Sequence, residues 1–279
     1  MSEDRNSRLE PQIAQYYELG KEAARLGRGS NQLERLRTEE LLGRYLPSAP
    51  AKVYDIGGGP GVYALGLAQQ GYRVHLLDAM ALHLEQASAA SHLQSPFSLE
   101  SVVLGDARHL PFPDSSAGAV LLLGPLYHLT TLEDRLNALR EAYRVLEPGG
   151  VVFAAGINRF ASSLEGLFYG LYADPAYRVM ADQDLLDGQH RNPDDKAYFT
   201  TAYFHHPLEL KAEILSAGFA LETLVALEGV GNLLPDFDAH WADPEKREWI
   251  LHLARRLETE ITLLGVSMHT LAVGRKQSG

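Results

Sequence analysis

The chain has 279 residues, contains no cysteine and carries a formal net charge of −11. The lack of cysteine excludes disulfides, thiolate catalysis and sulfur-ligated zinc, and the negative charge disfavours a nucleic-acid backbone as partner. No apolar run approaches the roughly 18 residues of a membrane-spanning helix, and the polar first residues lack the apolar centre of a signal peptide. These features predict a cytoplasmic protein without nucleic-acid or membrane partners.

The N-terminal residues 1–47 are predicted to be helical. One helix is expected from Pro11 to Leu26, followed by a Gly-Arg-Gly-Ser break. A second helix begins at Asn31, because Asn31 and Glu34 have the spacing of a capping box, and Pro47 ends it.

Residues 53–61, Val-Tyr-Asp-Ile-Gly-Gly-Gly-Pro-Gly, predict a strand that ends in an acid and a glycine-rich turn. The apolar spacing from Val62 to Gln70 predicts a helix directly after the turn. Glycines allow a tight turn and let a ligand approach the backbone, because no Cβ intervenes. Helix amides point into the same space. The segment therefore predicts a site for a nucleotide-sized ligand.

The glycine turn fits the patterns of two cofactors. Gly59, Gly61 and Ala64 match the dinucleotide pattern G-x-G-x-x-G/A, and Asp78 follows at about the expected 20 residues. Read from Asp55, the same stretch is acid-x-Gly-x-Gly-x-Gly, and in this the chain resembles the class I S-adenosylmethionine-dependent methyltransferases. A carboxylate at Asp55 would repel a pyrophosphate but attract the cationic groups of S-adenosylmethionine, which favours the second pattern.

Further motifs follow in the order that the resemblance implies. A second strand ends at Asp78, where the family places an acid that accepts hydrogen bonds from both ribose hydroxyls. A third strand ends in Gly-Asp-Ala, with Asp106 implied near the adenine amino group and the amide of Ala107 on a ring nitrogen. Apolar segments at 119–124 and 151–156 predict buried parallel strands four and five.

The alternation of strands and helices predicts an α/β fold. The resemblance implies a Rossmann-like, seven-stranded, mostly parallel sheet with helices on both faces and an antiparallel last strand. The predicted divisions are an N-terminal helical cap at 1–47, a cofactor-binding core at 48–156, an insertion after strand five at 157–206 and the C-terminal part of the sheet at 207–279. Strands at 219–227 and 266–274, with a helix at 244–257 between them, would complete the sheet.

The resemblance also implies where the cofactor is held. Tyr17 and Arg37 of the N-terminal helices are the predicted partners of its methionine carboxylate; the alternative is a surface helix with Glu–Arg pairs. The predicted cofactor-binding residues are Tyr17, Arg37, Asp55, Gly57, Gly59, Gly61, Asp78, Ala79, Met80, Asp106, Ala107 and Leu123.

His128 is the favoured candidate for a general base. It follows strand four at the carboxyl edge of the sheet, where ligands of open α/β folds bind. An imidazole with its ordinary pKa of about 6.5 can accept a proton at neutral pH. The alternative is that His128 packs beneath the adenosine. His205 is a second candidate base, and either it or His206 could instead cap the helix that begins at Pro207.

The insertion is rich in aromatic residues, which suit a flat or hydrophobic acceptor, although about half are expected to form its own core. They are Phe160, Phe168, Tyr169, Tyr172, Tyr177, Tyr198, Phe199, Tyr203 and Phe204. No convincing metal-ligand pattern is found, so no metal is predicted. The predicted function is methyl transfer from S-adenosylmethionine to an O, N or C atom of a small molecule, by a monomer or homodimer. The alternatives are a non-catalytic adenosylmethionine-binding protein and an NAD-dependent oxidoreductase.

Overall fold

The computed structural model describes residues 10–20, 22–192 and 198–277. The strands are β1 (Lys52–Ile56), β2 (Arg73–Asp78), β3 (Ser101–Leu104), β4 (Ala117–Leu122), β5 (Leu146–Ile157), β6 (Gln189–His190), β7 (Ala202–Tyr203), β8 (Ala220–Ala226) and β9 (His269–Arg275). Seven of them form one sheet in the order β3-β2-β1-β4-β5-β9-β8. β9 is antiparallel to both of its neighbours, while the other pairs are parallel. The predicted sheet with an antiparallel last strand is confirmed.

Helices cover both faces of this sheet. They are α1 (Pro11–Glu18), α2 (Glu22–Arg25), α3 (Asn31–Tyr45), α4 (Val62–Gln69), α5 (Ala81–Leu93), α6 (Pro125–His128), α7 (Leu132–Val145), α8 (Ala161–Phe168), α9 (Pro175–Asp187), α10 (Pro207–Ser216), α11 (Phe237–Ala242) and α12 (Pro244–Leu257). Side chains alternate along β1, so Val53 packs with α3, α4 and α5, while Tyr54 and Ile56 pack with α7 and α10. Because both faces are covered, β4 is buried along most of its length.

The N-terminal helices differ from the prediction. The single expected helix is two, α1 and α2, because the chain turns at Gly20, which has a φ of +66°. The predicted capping box of Asn31 and Glu34 is wrong: Ser30 precedes α3, and the Glu34 carboxylate accepts hydrogen bonds from Arg25 instead. We call α1, α2 and α3 the cap. The first nine residues, where no signal peptide was predicted, lie outside the described part of the chain.

The insertion contains α8, α9 and the two-stranded β6–β7 sheet. Tyr177 and Phe204 are buried in two small hydrophobic clusters, whereas Phe168 and Tyr169 are about half exposed. At its end, His206 caps α10: its Nδ1 accepts from the Leu208 amide, and the Glu209 carboxylate accepts from the His206 amide. The predicted histidine cap is therefore confirmed. In the described part of the chain, no helix combines the length and the apolar character needed to cross a membrane.

Candidate active site

A pocket opens at the carboxyl edge of the parallel strands, beneath the cap. The turn after β1 forms its floor, and the ends of β2 and β4 form two walls. Residues of α1 and α2 close it from above. The predicted residues that line it are Tyr17, Asp55, Gly57, Gly59, Asp78, Ala79, Met80, Asp106, Ala107, Leu123 and His128. Most predicted site residues thus come together at one place.

The glycine turn owes its shape to positions that accept no side chain. A Cβ on Gly57, which has a φ of +68°, would lie 2.6 Å from Cγ of Pro125. A Cβ on Gly58 would lie 2.7 Å from Oδ2 of Asp55. Gly61 is not among the pocket-lining residues; its left-handed backbone, with a φ of +89°, starts α4 instead. The turn therefore brings bare backbone against whatever occupies the pocket.

Asp55 is buried, with 1% of its surface exposed, and its Oδ2 has no hydrogen-bond partner among the described residues. Burial, followed by the nearby charge of Asp78, raises the pKa of Asp55 to about 7. A buried carboxylate without a partner is costly, so a cationic ligand group in the pocket would be stabilised here.

Asp78, at the end of β2, is already engaged by the protein. Its Oδ2 accepts from the amide of Gly59 at 2.8 Å, and its Oδ1 accepts from the amide of Met80 at 2.8 Å. His83 lies 3.2 Å from Oδ1 through Nδ1, and its buried Nε2 has no partner in the part of the chain described. Sequence reasoning missed His83; its place in the first turn of the helix after Asp78 is the signal that could have found it.

Asp106 and Ala107, both predicted to bind the cofactor, line the pocket after β3. The carboxylate of Asp106 is paired with Arg108, whose Nη1 also reaches Asp134 at 3.2 Å. Although burial opposes it, the hydrogen bonds from Arg108 hold the pKa of Asp106 below its usual value. This edge of the pocket therefore carries an ionised carboxylate whose charge is balanced by Arg108.

His128 ends α6, and its Nε2 lies 2.7 Å from the hydroxyl of Tyr17 on α1. The ring of Tyr127 and the ring of Phe199 pack against it, with centroids 4.7 Å and 5.8 Å away. Burial lowers the pKa of His128 to about 4, although the Thr201 backbone beside the ring opposes this. The imidazole is therefore neutral at pH 7, and in the tautomer protonated on Nδ1 its Nε2 accepts from Tyr17.

Arg37 was predicted to meet the cofactor, but the structure does not bring it to the pocket. Its side chain is fully buried away from the pocket, where it pairs with Glu40 and Glu258. Arg25 of α2 lines the pocket instead. Its guanidinium donates to Glu22 at 2.8 Å and to Glu34 at 2.6 Å.

His205 was the second candidate base, and its position contradicts that role. It is fully buried, it does not line the pocket, and its Nε2 lies 3.3 Å from Glu213. The aromatic residues of the insertion are also absent from the pocket lining. The aromatic residues of the insertion therefore do not form the expected wall of this pocket. Residues of the cap form that wall instead.

Glu34, Glu228 and His269 bring possible metal-ligand atoms within 4.8 Å of one another, a grouping that sequence reasoning did not find. Each of these groups already has a partner in the protein. Nδ1 of His269 lies 2.6 Å from Glu228, while Glu34 accepts from Arg25. Although burial opposes it, the two carboxylates raise the pKa of His269. The His269 imidazole, which lies between two carboxylates, ties the cap to the start of β9.

Comparison with known proteins agrees with this geometry. A family profile described as "Methyltransferase domain" matches residues 54–154. A ubiquinone/menaquinone biosynthesis C-methyltransferase (UbiE) of Neisseria meningitidis is 31% identical over 173 residues, which are 60% of this chain and 66% of that protein. The chloroplastic 2-methyl-6-phytyl-1,4-hydroquinone methyltransferase 2 of Oryza sativa subsp. japonica is 31% identical over 144 residues, covering 48% of this chain and 39% of that protein.

The fold is also shared with solved structures. An S-adenosylmethionine-dependent methyltransferase from Mesorhizobium loti superposes with a TM-score of 0.58 at 19% identity, covering 87% of this chain and 99% of that one. The residues that match the family profile include the turns after β1, β2 and β3 that line the pocket. The structural likeness extends over most of the chain.

Proposed function

Because the chain belongs to the class I S-adenosylmethionine-dependent methyltransferases, with S-adenosylmethionine as its cofactor, we propose that it transfers a methyl group to a small-molecule acceptor. The observation that carries this proposal is the buried carboxylate of Asp55, whose Oδ2 has no partner in the described part of the chain, beside a bare glycine turn and in the same pocket as a neutral His128. When bound, S-adenosylmethionine supplies a methyl group that is activated by the positive charge on its sulfur.

In this proposal the chain holds the cofactor mainly through charge. Asp55 pairs with a cationic group, and Arg25 takes the place first predicted for Arg37 by binding the carboxylate. Asp78 accepts hydrogen bonds from ribose hydroxyls with the lone pairs that its backbone donors leave free. Glu22, now bonded to Arg25 at 2.8 Å, gives way when that carboxylate binds.

We assign His128 as the proton acceptor and infer that the acceptor molecule presents a hydroxyl group to it. Its Nε2 already lies 2.7 Å from the oxygen of a phenol, that of Tyr17, which marks where such a group can dock. The two curated relatives are named for quinone biosynthesis and for a hydroquinone, which supports a hydroxyl-bearing aromatic ring as acceptor. Removing the hydroxyl proton makes both that oxygen and the neighbouring ring carbons more nucleophilic, so O- and C-methylation are both consistent with the site.

Titration calorimetry with S-adenosylmethionine, S-adenosylhomocysteine and NADH is the first test. Binding of both sulfur compounds without NADH supports the proposal, whereas NADH alone would point to the oxidoreductase alternative. Incubation with a methyl-labelled cofactor and a set of hydroquinones, matched aromatic compounds without hydroxyls and aromatic amines then identifies the acceptor. Transfer only to the amines would refute the hydroxyl assignment.

His128→Asn tests the proton acceptor. We expect the Kd for the cofactor to change by less than about threefold and kcat to fall by about 10² to 10⁴, the usual range for loss of a general base. The exposed His252→Asn is the matched control. Since burial lowers the pKa of His128 to about 4, kcat should show no inflection near the usual histidine pKa of about 6.5. Unchanged kcat in the variant would make His128 a packing residue.

One observation favours a second candidate, a protein that binds the cofactor without turnover. Tyr17 occupies Nε2 of His128, so the position proposed for the acceptor is filled in this conformation. Tight cofactor binding, with no labelled product from any acceptor even in Tyr17→Phe, would favour this alternative.

A further inference from the structure

Arg135 lies in the first turns of α7 and is almost completely buried, with 2% of its surface exposed. Its Nη1 donates to the backbone carbonyls of Leu129, at 3.0 Å, and Thr130, at 3.2 Å. These two residues directly follow His128, and both line the pocket. A single buried guanidinium thus holds the backbone next to the proposed proton acceptor.

The opposite side of Arg135 is fixed by other elements. Its Nε lies 2.9 Å from Oε1 of Glu213 on α10, and the ring centroid of Tyr203 on β7 lies 3.7 Å from its central carbon. The insertion adds a further contact, because the side-chain amide of Gln189 donates to the carbonyl of Thr130 at 3.0 Å. Arg135 of α7 and Gln189 of β6 therefore bind the segment after His128, while α10 and β7 hold Arg135 in place.

His205 belongs to this cluster and is fully buried in it, because its Nε2 lies 3.3 Å from Glu213 and its ring packs against that of Tyr203. Although burial opposes it, the hydrogen bonds and charges of His205 and Arg135 lower the pKa of Glu213. Glu213 is therefore a carboxylate that pairs with Arg135. A buried ion pair of this kind often adds little net stability over well-packed apolar side chains, but it can fix one arrangement.

We propose that Arg135 is a positioning residue for methyl transfer, which holds His128 at the pocket by fixing the carbonyls of Leu129 and Thr130. The inference rests on the proposed function, in which His128 accepts the proton. A positioning role differs from a purely structural role of Arg135, because it predicts that kcat falls while the affinity for the cofactor is kept. Displacements of about 1 Å in a reacting group can cost about 10²-fold in rate.

The test replaces the buried ion pair by apolar side chains, in the double variant Arg135→Met with Glu213→Leu. Arg135→Lys is the conservative variant: it keeps the charge beside Glu213 but cannot hold both carbonyls in the same way. Arg140→Met, on an exposed part of α7, is the control. Each protein is measured for thermal stability, cofactor Kd, kcat and KM.

We expect the double variant to bind the cofactor within about threefold of the parent and to lose about tenfold or more in kcat, with KM little changed. The kcat of Arg135→Lys should lie between those of the double variant and the parent, and the kcat of Arg140→Met should equal that of the parent. Parental kcat in a folded double variant, or in Arg135→Lys if the double variant does not fold, would overturn the proposal. Equal losses in cofactor affinity and kcat would also overturn it.

A second readout does not depend on turnover. The imidazole of His128, followed by NMR during a pH titration, should show a pKa nearer its usual range in the Arg135 variants, because a loosened segment admits water. The groups that face this ring are Tyr17, Asp78, His83 and Tyr127, and all of them remain in the variants. An unchanged pKa of His128 in the Arg135 variants would refute the positioning role. A changed pKa, together with no methyl transfer by the parent protein, would refute only the proposed function.

Discussion

At the scale of single residues, Asp55 combines two opposite effects. Its carboxylate is buried, with no partner for Oδ2 among the described residues, which destabilises the folded protein, and it faces the pocket, which attracts a cation. Its pKa of about 7 in the fold exceeds the usual value of 3.8. A raised acid pKa gives a stabilising contribution below about pH 4 that is lost as the pH rises through 7.

We therefore expect Asp55→Asn to stabilise the ligand-free protein while weakening cofactor binding. The gain should be about 1 to 3 kcal/mol at pH 8 and smaller at pH 5. The Kd for S-adenosylmethionine should rise by about 10 to 100-fold, since a charge-assisted hydrogen bond is lost. Thermal denaturation at both pH values and calorimetry measure these changes, with the exposed Asp182→Asn as control. A variant less stable than the parent at pH 8 would contradict this account.

The residues predictable from sequence were those whose place follows from the chain path. Asp55, Gly57 and Asp78 lie at the carboxyl ends of β1 and β2 or directly after them, so the parallel sheet brings them to one edge. The choice between Arg25 and Arg37 could not be made, because it depends on how the cap helices lie against the core. Arg37 faces Glu258 of a segment more than 200 residues away, a contact that no local pattern reveals.

At the scale of elements, the turn between β1 and α4 gives the sharpest prediction. Gly57→Ala places a Cβ where the backbone is left-handed and Pro125 is 2.6 Å away. We expect a loss of about 2 to 4 kcal/mol in stability and no measurable cofactor binding. Gly66→Ala, in α4, is the matched control, because its Cβ would meet no heavy atom within 4 Å. That substitution should stabilise the protein by up to about 1 kcal/mol, as alanine favours a helix.

Urea denaturation of the three proteins separates these outcomes. A Gly57→Ala variant as stable as the parent would mean that the turn tolerates a side chain, and the argument from close backbone approach would fail.

The strands and helices of the sheet were predictable because a parallel sheet with both faces covered needs continuous apolar strands. The role of the aromatic residues in the insertion was not predictable. The sequence looks the same whether such residues line a substrate pocket or form a small hydrophobic core. Tyr177 illustrates this: its hydroxyl donates to the carbonyl of Ser162 inside the insertion. The break between α1 and α2 at Gly20 was also missed, because an isolated glycine within a helical pattern is often tolerated.

At the scale of the whole molecule, two arginines of the cap have different roles: we expect Arg37 to stabilise the fold and Arg25 to bind the cofactor. Arg37 is buried between Glu40 and Glu258, so Arg37→Met removes one arginine partner from each of these partly buried carboxylates, which then keep only Arg255 and Arg44 among the described residues. We expect it to lower stability by about 2 to 4 kcal/mol and to leave the cofactor Kd of the folded protein nearly unchanged. Arg25→Met should instead raise that Kd by about tenfold or more. Denaturation and calorimetry on both variants check this division, and the reverse pattern would restore Arg37 to the cofactor site.

The pocket lies between the cap and the sheet, so its ligand contacts both. Tyr17 and Arg25 come from α1 and α2, whereas Asp55 and Asp78 come from the sheet edge. A ligand that binds the closed arrangement stabilises it by mass action.

Hydrogen exchange in α1 and α2 should therefore slow on addition of saturating S-adenosylhomocysteine, by about 10-fold or more. The amides of β4 and β5, which are buried in the core, should change little. Arg25→Met is the control, because it should weaken the protection of α2 at the same fractional occupancy. Equal protection of cap and sheet would mean that the ligand stabilises the whole fold without closing the cap.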